Sequence, residues 1–156
     1  MLKARTKVSK PEEECTTIVV DSSLVDEYWL EMESLVVSGL KCSRGELIAA
    51  DVYVMIKRQE ATAFLVLQDG RIELVLIAEI VRFPRVLKAN IVLLAGKNTR
   101  KASQFLPAFE QWALAFNAVE ITGYAPAMGG HSRLYRRLGF EVAYHVVARD
   151  LRRKLQ

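Results

Sequence analysis

Basic side chains are concentrated at two places in this chain of 156 residues. One cluster contains Lys97, Arg100 and Lys101, and the other lies within 133–154. Because the formal net charge is only +4, this pattern indicates one local anionic ligand and disfavours a surface that binds nucleic acid. Lysine and arginine side chains can hold such an anion, and arginine can do so through two parallel hydrogen bonds. The alternative is that both clusters are solvated and bind no ligand.

Other kinds of site find little support. Cys15 and Cys42 are far apart and have no histidine or second cysteine nearby at metal-ligand spacing, so we expect no metal site and no disulfide framework. No apolar run approaches the roughly 18 residues of a membrane span, and we expect no membrane association. Trp29 and Trp112 recur with other apolar residues at helical spacing, which assigns them to packing and not to stacking on bases.

The composition is typical of one folded domain. About half of the residues are apolar (51%) and 26% are charged, as in ordinary globular proteins, and a chain of this length can bury a core. Residues 1–14 combine basic residues with Pro11 and three glutamates, without the apolar stretch of a signal peptide. We therefore predict a flexible charged arm over 1–14, a single domain over 15–156 and a cytoplasmic location.

The first half of the chain must supply a strand, two helices and a hairpin. A β-branched run predicts a strand over 15–20, and apolar residues at three- and four-residue spacing predict a helix over 24–40. A second helix is predicted over 43–59, with Ser43 as its cap and Glu46 at the capping-box position. Apolar runs over 61–67 and 71–81 flank Asp69 and Gly70, which is a strong hairpin signal.

The second half continues the alternation of strands and helices. Further strands are predicted over 86–95, 118–124 and 140–148, with helices over 105–116 and 129–138. The order of elements is therefore β-α-α-β-β-β-α-β-α-β. Helices that alternate with half-buried strands predict an α/β fold, in which helices cover a sheet.

One segment carries a specific family resemblance. The run Leu134-Tyr135-Arg136-Arg137-Leu138-Gly139-Phe140 resembles the Leu-Tyr-x-x-Leu-Gly-Phe segment that ends the fourth helix of the GNAT N-acetyltransferase superfamily. The run Glu110-Gln111-Trp112-Ala113 resembles the end of that family's third helix, and the order of elements is also similar, so the resemblance covers 16–151. It implies an α/β (α+β) fold with a mixed, mostly antiparallel sheet flanked by about four helices. It also implies acyl transfer from acetyl-CoA to an amine.

The resemblance places a cofactor site after the strand over 86–95. In the family, backbone amides in a loop of pattern Gln/Arg-x-x-Gly-x-Gly/Ala hold the pyrophosphate, and Lys97, Arg100 and Ala102 match its three defined positions. Arg100 replaces the glycine, which puts the amide cradle in doubt and favours an anion held by side chains. The candidate cofactor-binding residues are Leu94, Gly96, Lys97, Asn98, Arg100, Lys101 and Ala102.

Three residues are candidates for proton transfer. Tyr135 matches the family's tyrosine that protonates the departing thiolate, although a packed core tyrosine is an equal alternative. The strand over 86–95 contains no carboxylate, so Glu79 on the preceding strand is the nearest candidate base. Its alternation with Ile77 and Val81 places it on their face, and a surface or salt-bridged glutamate is the alternative. His131 is the third candidate, because histidine side chains can transfer protons near neutral pH, while a structural role is again the alternative.

A noncatalytic function competes with the enzyme. The fold can persist after its chemistry is lost, and Met128 and His131 depart from the family pattern in the fourth helix. Some bacteriophage proteins look similar at Leu93-Leu94-Ala95-Gly96, which implies a virion-associated or host-interacting module. Such a module would bind a protein partner or a second copy, whereas the enzyme would bind a small-molecule or protein amine. An exposed apolar face over 72–81 would favour the module.

Overall fold

The computed structural model describes residues 15–125 and 130–152, so the predicted arm over 1–14 lies outside the described residues. The chain divides into two compact units, with the boundary between Tyr124 and Ala125. The first unit holds a five-stranded sheet and most of the helices, and the second holds the last helix. The single domain predicted over 15–156 stays a prediction.

The sheet is mixed and mostly antiparallel, as predicted. Its strands lie in chain order, with antiparallel pairing from the first to the fourth and parallel pairing between the fourth and fifth. The strands are β1 (Cys15–Val20), β2 (Thr62–Gln68), β3 (Arg71–Arg82), β4 (Leu87–Gly96) and β5 (Ala118–Gly123). The predicted bounds of these five strands agree with the structure to within about one residue.

The β2–β3 connection is the tight hairpin that Asp69 and Gly70 predict. Both residues have positive φ, 50° and 74°, as a two-residue turn of the hairpin type requires. The turn sets the register in which Gln68 pairs with Arg71. One extra residue, Glu73, then shifts the register, so that Leu67 pairs with Ile72 and Val66 with Leu74.

Helices cover both faces of this sheet. These are α1 (Val25–Leu40), α2 (Ala49–Lys57) and a 3-10 helix (Thr99–Phe105) that continues into α3 (Leu106–Ala115), all in the first unit. The last helix, α4 (Gly130–Arg137), belongs to the second unit. On one face, α1 and α2 bury a cluster that includes Met32, Val36 and Ile56 against Ile77 and Leu93. On the opposite face, the Phe64 ring packs on Phe109 and Trp112 of α3, with centroids 5.3 and 5.6 Å apart.

The predicted cap of the second helix is wrong. Ser43 and Glu46 act inside the preceding loop, where the Ser43 hydroxyl accepts from the Gly45 N–H (3.4 Å) and the Glu46 carboxylate accepts from the Arg44 N–H (2.6 Å). The helix begins after Ile48, whose N–H donates to the Asp51 carboxylate at 2.9 Å. Asp51 therefore performs the capping role, and α2 is shorter than predicted.

The strand predicted over 140–148 is also wrong, because the described residues 140–151 belong to no strand. Val142, Val146 and Val147 are 71 to 91% exposed. Alternating apolar residues suit a strand, but a strand also requires backbone hydrogen bonds to a neighbour. The sheet consists of β1 to β5 and contains no such neighbour for this segment.

The central strand β3 leaves no exposed apolar face in the first unit. Residues from Leu74 to Ala78 are buried, and Glu79, Ile80 and Val81 are half-buried. The exposed apolar face that would favour a partner-binding module is therefore absent from this strand. No helix within 15–125 or 130–152 is long and apolar enough to cross a membrane.

Candidate active site at the fork between β4 and β5

The pairing between the parallel strands β4 and β5 ends with β5, before β4 does, and we call this position the fork. Their pairing runs from Leu87 with Ala118 to Ile91 with Gly123, although β4 continues to Gly96. The fork therefore lies towards the carboxyl ends of two parallel strands. Crevices at the carboxyl ends of parallel strands are where open sheets bind ligands. The fork is accordingly the candidate site of the first unit.

A β-bulge in β4 lies beside this fork. Ile77 of β3 pairs with Leu93, whereas the next residue, Ala78, pairs with Ile91, so Val92 is the extra residue. An extra residue reverses the side-chain alternation for the rest of the strand. Beyond the bulge, Asn90 therefore shares a face with Glu79.

Three polar side chains cross the sheet on that face, and we call Glu79, Asn90 and Thr122 the polar rung. The Asn90 amide donates from Nδ2 to Glu79 Oε1 at 3.0 Å, and Thr122 Oγ1 donates to Asn90 Oδ1 at 3.1 Å. Asn90 is only 9% exposed, and both ends of its amide are paired, which removes the cost of burying it. The rung joins β3, β4 and β5 close to the last pair of β4 and β5.

An ion pair lies on the neighbouring rung of the same face. Lys88 of β4 pairs in register with Glu120 of β5, and its Nζ lies 2.8 Å from Glu120 Oε1. The Lys88 ammonium also lies 5.7 Å from the centroid of the Phe83 ring. Its charge is therefore engaged by Glu120 at the paired end of β4 and β5, one rung away from Asn90.

The predicted anion-binding residues follow the end of β4 directly. Lys97 and Arg100 are exposed, Asn98 and Lys101 are half-buried, and Ala102 is buried. The segment forms a 3-10 helix from Thr99 and not the start of an α-helix. Three exposed or half-buried cations thus lie beside the end of β4, which suits an anion held by side chains.

Two of the predicted cofactor-binding residues are explained by packing within the sheet. Leu94 is buried and pairs with Leu76 of β3. A Cβ at Gly96 would overlap the carbonyl oxygen of Glu73, so a glycine is needed for β4 to pass β3 at this point. The Lys97 N–H then donates to the same carbonyl at 3.2 Å.

The second unit holds the two candidate residues of α4. Tyr135 is buried, its ring meets Phe140 edge to face with centroids 5.2 Å apart, and burial raises its pKa to about 12. His131 is half-buried in the first turn of the same helix. Met128, which departs from the family pattern, lies outside the described residues.

Sequence reasoning missed Asn90 and Thr122. A signal for Asn90 exists, because it is the one uncharged polar residue within the apolar strand Leu87–Gly96, and a buried polar residue needs a partner. Its partners were not predictable, since the bulge at Val92 decides which side chains it faces. In the described part of the chain, no group of three or more metal-ligating side chains comes together.

Comparison with known proteins identifies the fold. No family profile and no curated protein matches the sequence. Among solved structures, the aminoglycoside N-acetyltransferase AAC(6')-Iy in complex with CoA aligns with a TM-score of 0.68 at 14% identity, over 91% of this chain and 97% of that one. The ribosomal-protein-alanine N-acetyltransferase of Brucella melitensis aligns with a TM-score of 0.64 at 11% identity, over 88% and 99%.

A predicted acetyltransferase from Clostridium acetobutylicum, solved with acetyl-CoA, is similar to the same degree. Its TM-score is 0.64 at 12% identity, and the alignment covers 88% of this chain and 97% of that one. The chain therefore has the GNAT N-acetyltransferase fold, as the resemblance at Tyr135 and Gly139 implied.

Proposed function

We propose that this chain is an N-acetyltransferase that transfers an acetyl group from acetyl-CoA to an amine, with its active site at the fork. The observation that carries the proposal is the half-buried Glu79 carboxylate, which lies beside the fork and is oriented by a hydrogen bond from Asn90. Similarity to acetyltransferases solved with CoA and with acetyl-CoA supports the same chemistry. Glu79 is the proposed base.

The transfer requires one proton to leave the amine and one to reach the sulfur. In the proposed reaction, the amine nitrogen forms a bond to the acetyl carbonyl carbon, and the carbon–sulfur bond breaks. Glu79 accepts the proton that the nitrogen loses, and the departing thiolate is protonated to give CoA. Because Oε1 of Glu79 already accepts from Asn90 at 3.0 Å, we assign the proton to Oε2.

The residues beside the fork fit the parts of acetyl-CoA. Pairing of β4 with β5 ends at Ile91 and Gly123, so residues 92–96 of β4 have no strand partner on that side in the described part of the chain, and an extended chain of amides can add to a strand at such a position. Lys97, Arg100 and Lys101 would hold the pyrophosphate through their side chains. When bound, acetyl-CoA supplies the activated acetyl group.

For Tyr135 we propose the role of a hydrogen-bond donor, in place of the proton-donating acid that the family resemblance implied. Its pKa of about 12 keeps the phenol protonated at neutral pH, so it can donate to a developing anion. Full transfer of its proton to a thiolate of pKa about 8.5 would be uphill by about 3.5 pKa units, or about 5 kcal/mol. We therefore propose Tyr135 as a hydrogen-bond donor, and we assign the proton that the thiolate gains to solvent.

The acceptor is proposed only as an amine. The similar structures include one aminoglycoside acetyltransferase solved with sisomicin and one ribosomal-protein-alanine acetyltransferase. Sisomicin and a peptide with N-terminal alanine are therefore the first acceptors to use. The noncatalytic module, its bacteriophage origin, a protein partner or second copy, and the cytoplasmic location stay predictions.

The test combines binding and turnover. Acetyl-CoA binding is measured by calorimetry, and CoA release is followed with a thiol reagent for each acceptor. Glu79→Gln should keep acetyl-CoA binding and lower kcat about 100-fold, as loss of a general base does. Glu73→Gln is the matched control because Glu73 is also a half-buried glutamate of β3, and it should change kcat less than two-fold.

Two results would contradict the proposed function. One is the absence of acetyl-CoA binding up to millimolar concentration in the wild type. The other is equal kcat for the wild type and Glu79→Gln, which would remove Glu79 from the reaction.

A further inference from the structure

We propose that Asn90, anchored by Thr122, is a positioning residue that holds the Glu79 carboxylate in one orientation at the fork. The inference rests on the proposed function for its effect on catalysis. The hydrogen bonds of the polar rung and the bulge at Val92 carry it.

The bulge is what brings Asn90 to Glu79. Without the extra Val92, the register that pairs Ile77 with Leu93 would continue as Ala78 with Val92 and Glu79 with Ile91. An isoleucine would then face the carboxylate, and Asn90 would point to the opposite face of the sheet. The shift of one residue therefore replaces an apolar neighbour of Glu79 with a hydrogen-bond donor.

The hydrogen bonds run in one direction. The Thr122 hydroxyl donates to Asn90 Oδ1, so the amide plane is fixed with its NH2 group towards Glu79. The same chain could not form with the amide reversed, because its carbonyl would then face the Glu79 carboxylate. Thr122 thus determines which end of Asn90 meets the carboxylate.

This arrangement leaves one oxygen of Glu79 for the substrate. Asn90 occupies Oε1, and no described residue bonds to Oε2. A carboxylate with one oxygen anchored has fewer side-chain rotamers to sample. A base held in a fixed orientation gives a higher reaction rate than a mobile one, because small misplacements of the reacting groups lower the rate by large factors.

If the polar rung had only a structural role, its substitutions would affect stability and kcat differently. A rung that only joined three strands would affect the stability of the sheet without a specific effect on kcat. The two roles are separated by the isosteric change Thr122→Val, which removes the donor to Asn90 but leaves Glu79 and Asn90 in place. Thr122→Ser keeps the hydroxyl and is the conservative rescue.

The first measurement is steady-state kinetics with acetyl-CoA and whichever of sisomicin or the alanine peptide is acetylated. Thr122→Val should lower kcat about ten-fold with the KM for acetyl-CoA unchanged, and Asn90→Leu should lower it further. Thr122→Ser should retain at least half of the wild-type kcat. Thr16→Val is the matched control, because Thr16 is an exposed strand threonine on β1. A kcat for Thr122→Val equal to that of the wild type would overturn the inference.

The second measurement needs no turnover. Scalar couplings of the Glu79 side chain, measured by NMR on labelled protein, should report one χ1 rotamer in the wild type and in Thr122→Ser, and an average of rotamers in Thr122→Val. Averaging already present in the wild type would overturn the inference. A single wild-type rotamer that is lost in Thr122→Val, in a protein that acetylates no amine, would uphold the positioning of Glu79 and refute the proposed function.

Discussion

Gly96 at the end of β4 lies directly against the backbone of Glu73 on β3. A Cβ at position 96 would overlap the Glu73 carbonyl oxygen and approach the Leu74 Cα to 2.9 Å. Gly96 also has a positive φ of 155°, which side chains disfavour. The end of β4, where the basic segment begins, is therefore positioned by the absence of a side chain.

Gly96→Ala should destabilise the protein by about 3 kcal/mol, because overpacking adds to backbone strain. Gly70→Ala is the control: Gly70 also has a positive φ, 74°, but no atom lies within 4 Å of its added Cβ. Gly70→Ala should therefore lower the free energy of unfolding by only about 1 kcal/mol. Urea unfolding measures both, and equal losses would show that the contact with Glu73 costs nothing.

Arg100→Ala should weaken acetyl-CoA binding about ten-fold, because one charge-assisted hydrogen bond to the pyrophosphate would be lost. The wild-type affinity should also fall as salt is added. Arg85→Ala is the control, since Arg85 is equally exposed but lies in the turn between β3 and β4. Calorimetry at two salt concentrations measures the effect. Unchanged affinity in Arg100→Ala would indicate that Arg100 is a solvated side chain.

Tyr135 should make stability fall at alkaline pH. Burial raises its pKa from 10.0 to about 12, so above pH 10 the unfolded chain loses the phenol proton while the folded chain keeps it. The stability from this group is complete below the unfolded pKa and is lost as pH rises towards the folded pKa. Between about pH 9 and pH 11, the wild type should lose about 1.4 kcal/mol more than Tyr135→Phe.

Unfolding of the two proteins at both pH values provides this comparison. Absorbance titration should also show one fewer phenol with a pKa near 12 in Tyr135→Phe than in the wild type. The same pH dependence in both proteins would mean that Tyr135 is not buried as described.

Phe109→Ala should destabilise the protein by about 4 kcal/mol, because Phe109 is fully buried against Phe64 between α3 and the sheet. Phe116→Ala is the control from the end of the same helix. The Phe116 ring contacts Trp112 but is 50% exposed. Its removal should therefore lower the free energy of unfolding by only about 1 kcal/mol. Denaturant unfolding measures the difference, and similar values would place the α3 core elsewhere.

Local sequence patterns correctly predicted five of the six expected strands and the four helices, because each of these elements depends on neighbours in the chain. The hairpin at Asp69 and Gly70 requires positive φ at consecutive residues, which these two residue types tolerate. The spacing of Val25, Met32 and Val36 is that of one helix face. Capping was less predictable, since Ser43 and Asp51 both offer suitable side chains and the loop geometry decided between them.

The last strand shows the limit of such patterns. Val142, Tyr144 and Val146 alternate as strand residues do, but the alternation contains no information about a hydrogen-bonded neighbour. Strand formation depends on that neighbour, and the structure has none for residues 140–151 in the sheet β1 to β5.

The sequence by itself determined the fold class, the basic segment at Lys97 and Arg100, and Glu79 as a candidate base, because these follow from residue type and spacing. Only the tertiary structure decided what surrounds Glu79. The bulge at Val92 sets the register between β3 and β4, and a shift of one residue exchanges Ile91 for Asn90 beside the carboxylate. Register is a relation between strands that are distant in sequence, so no local pattern specifies it.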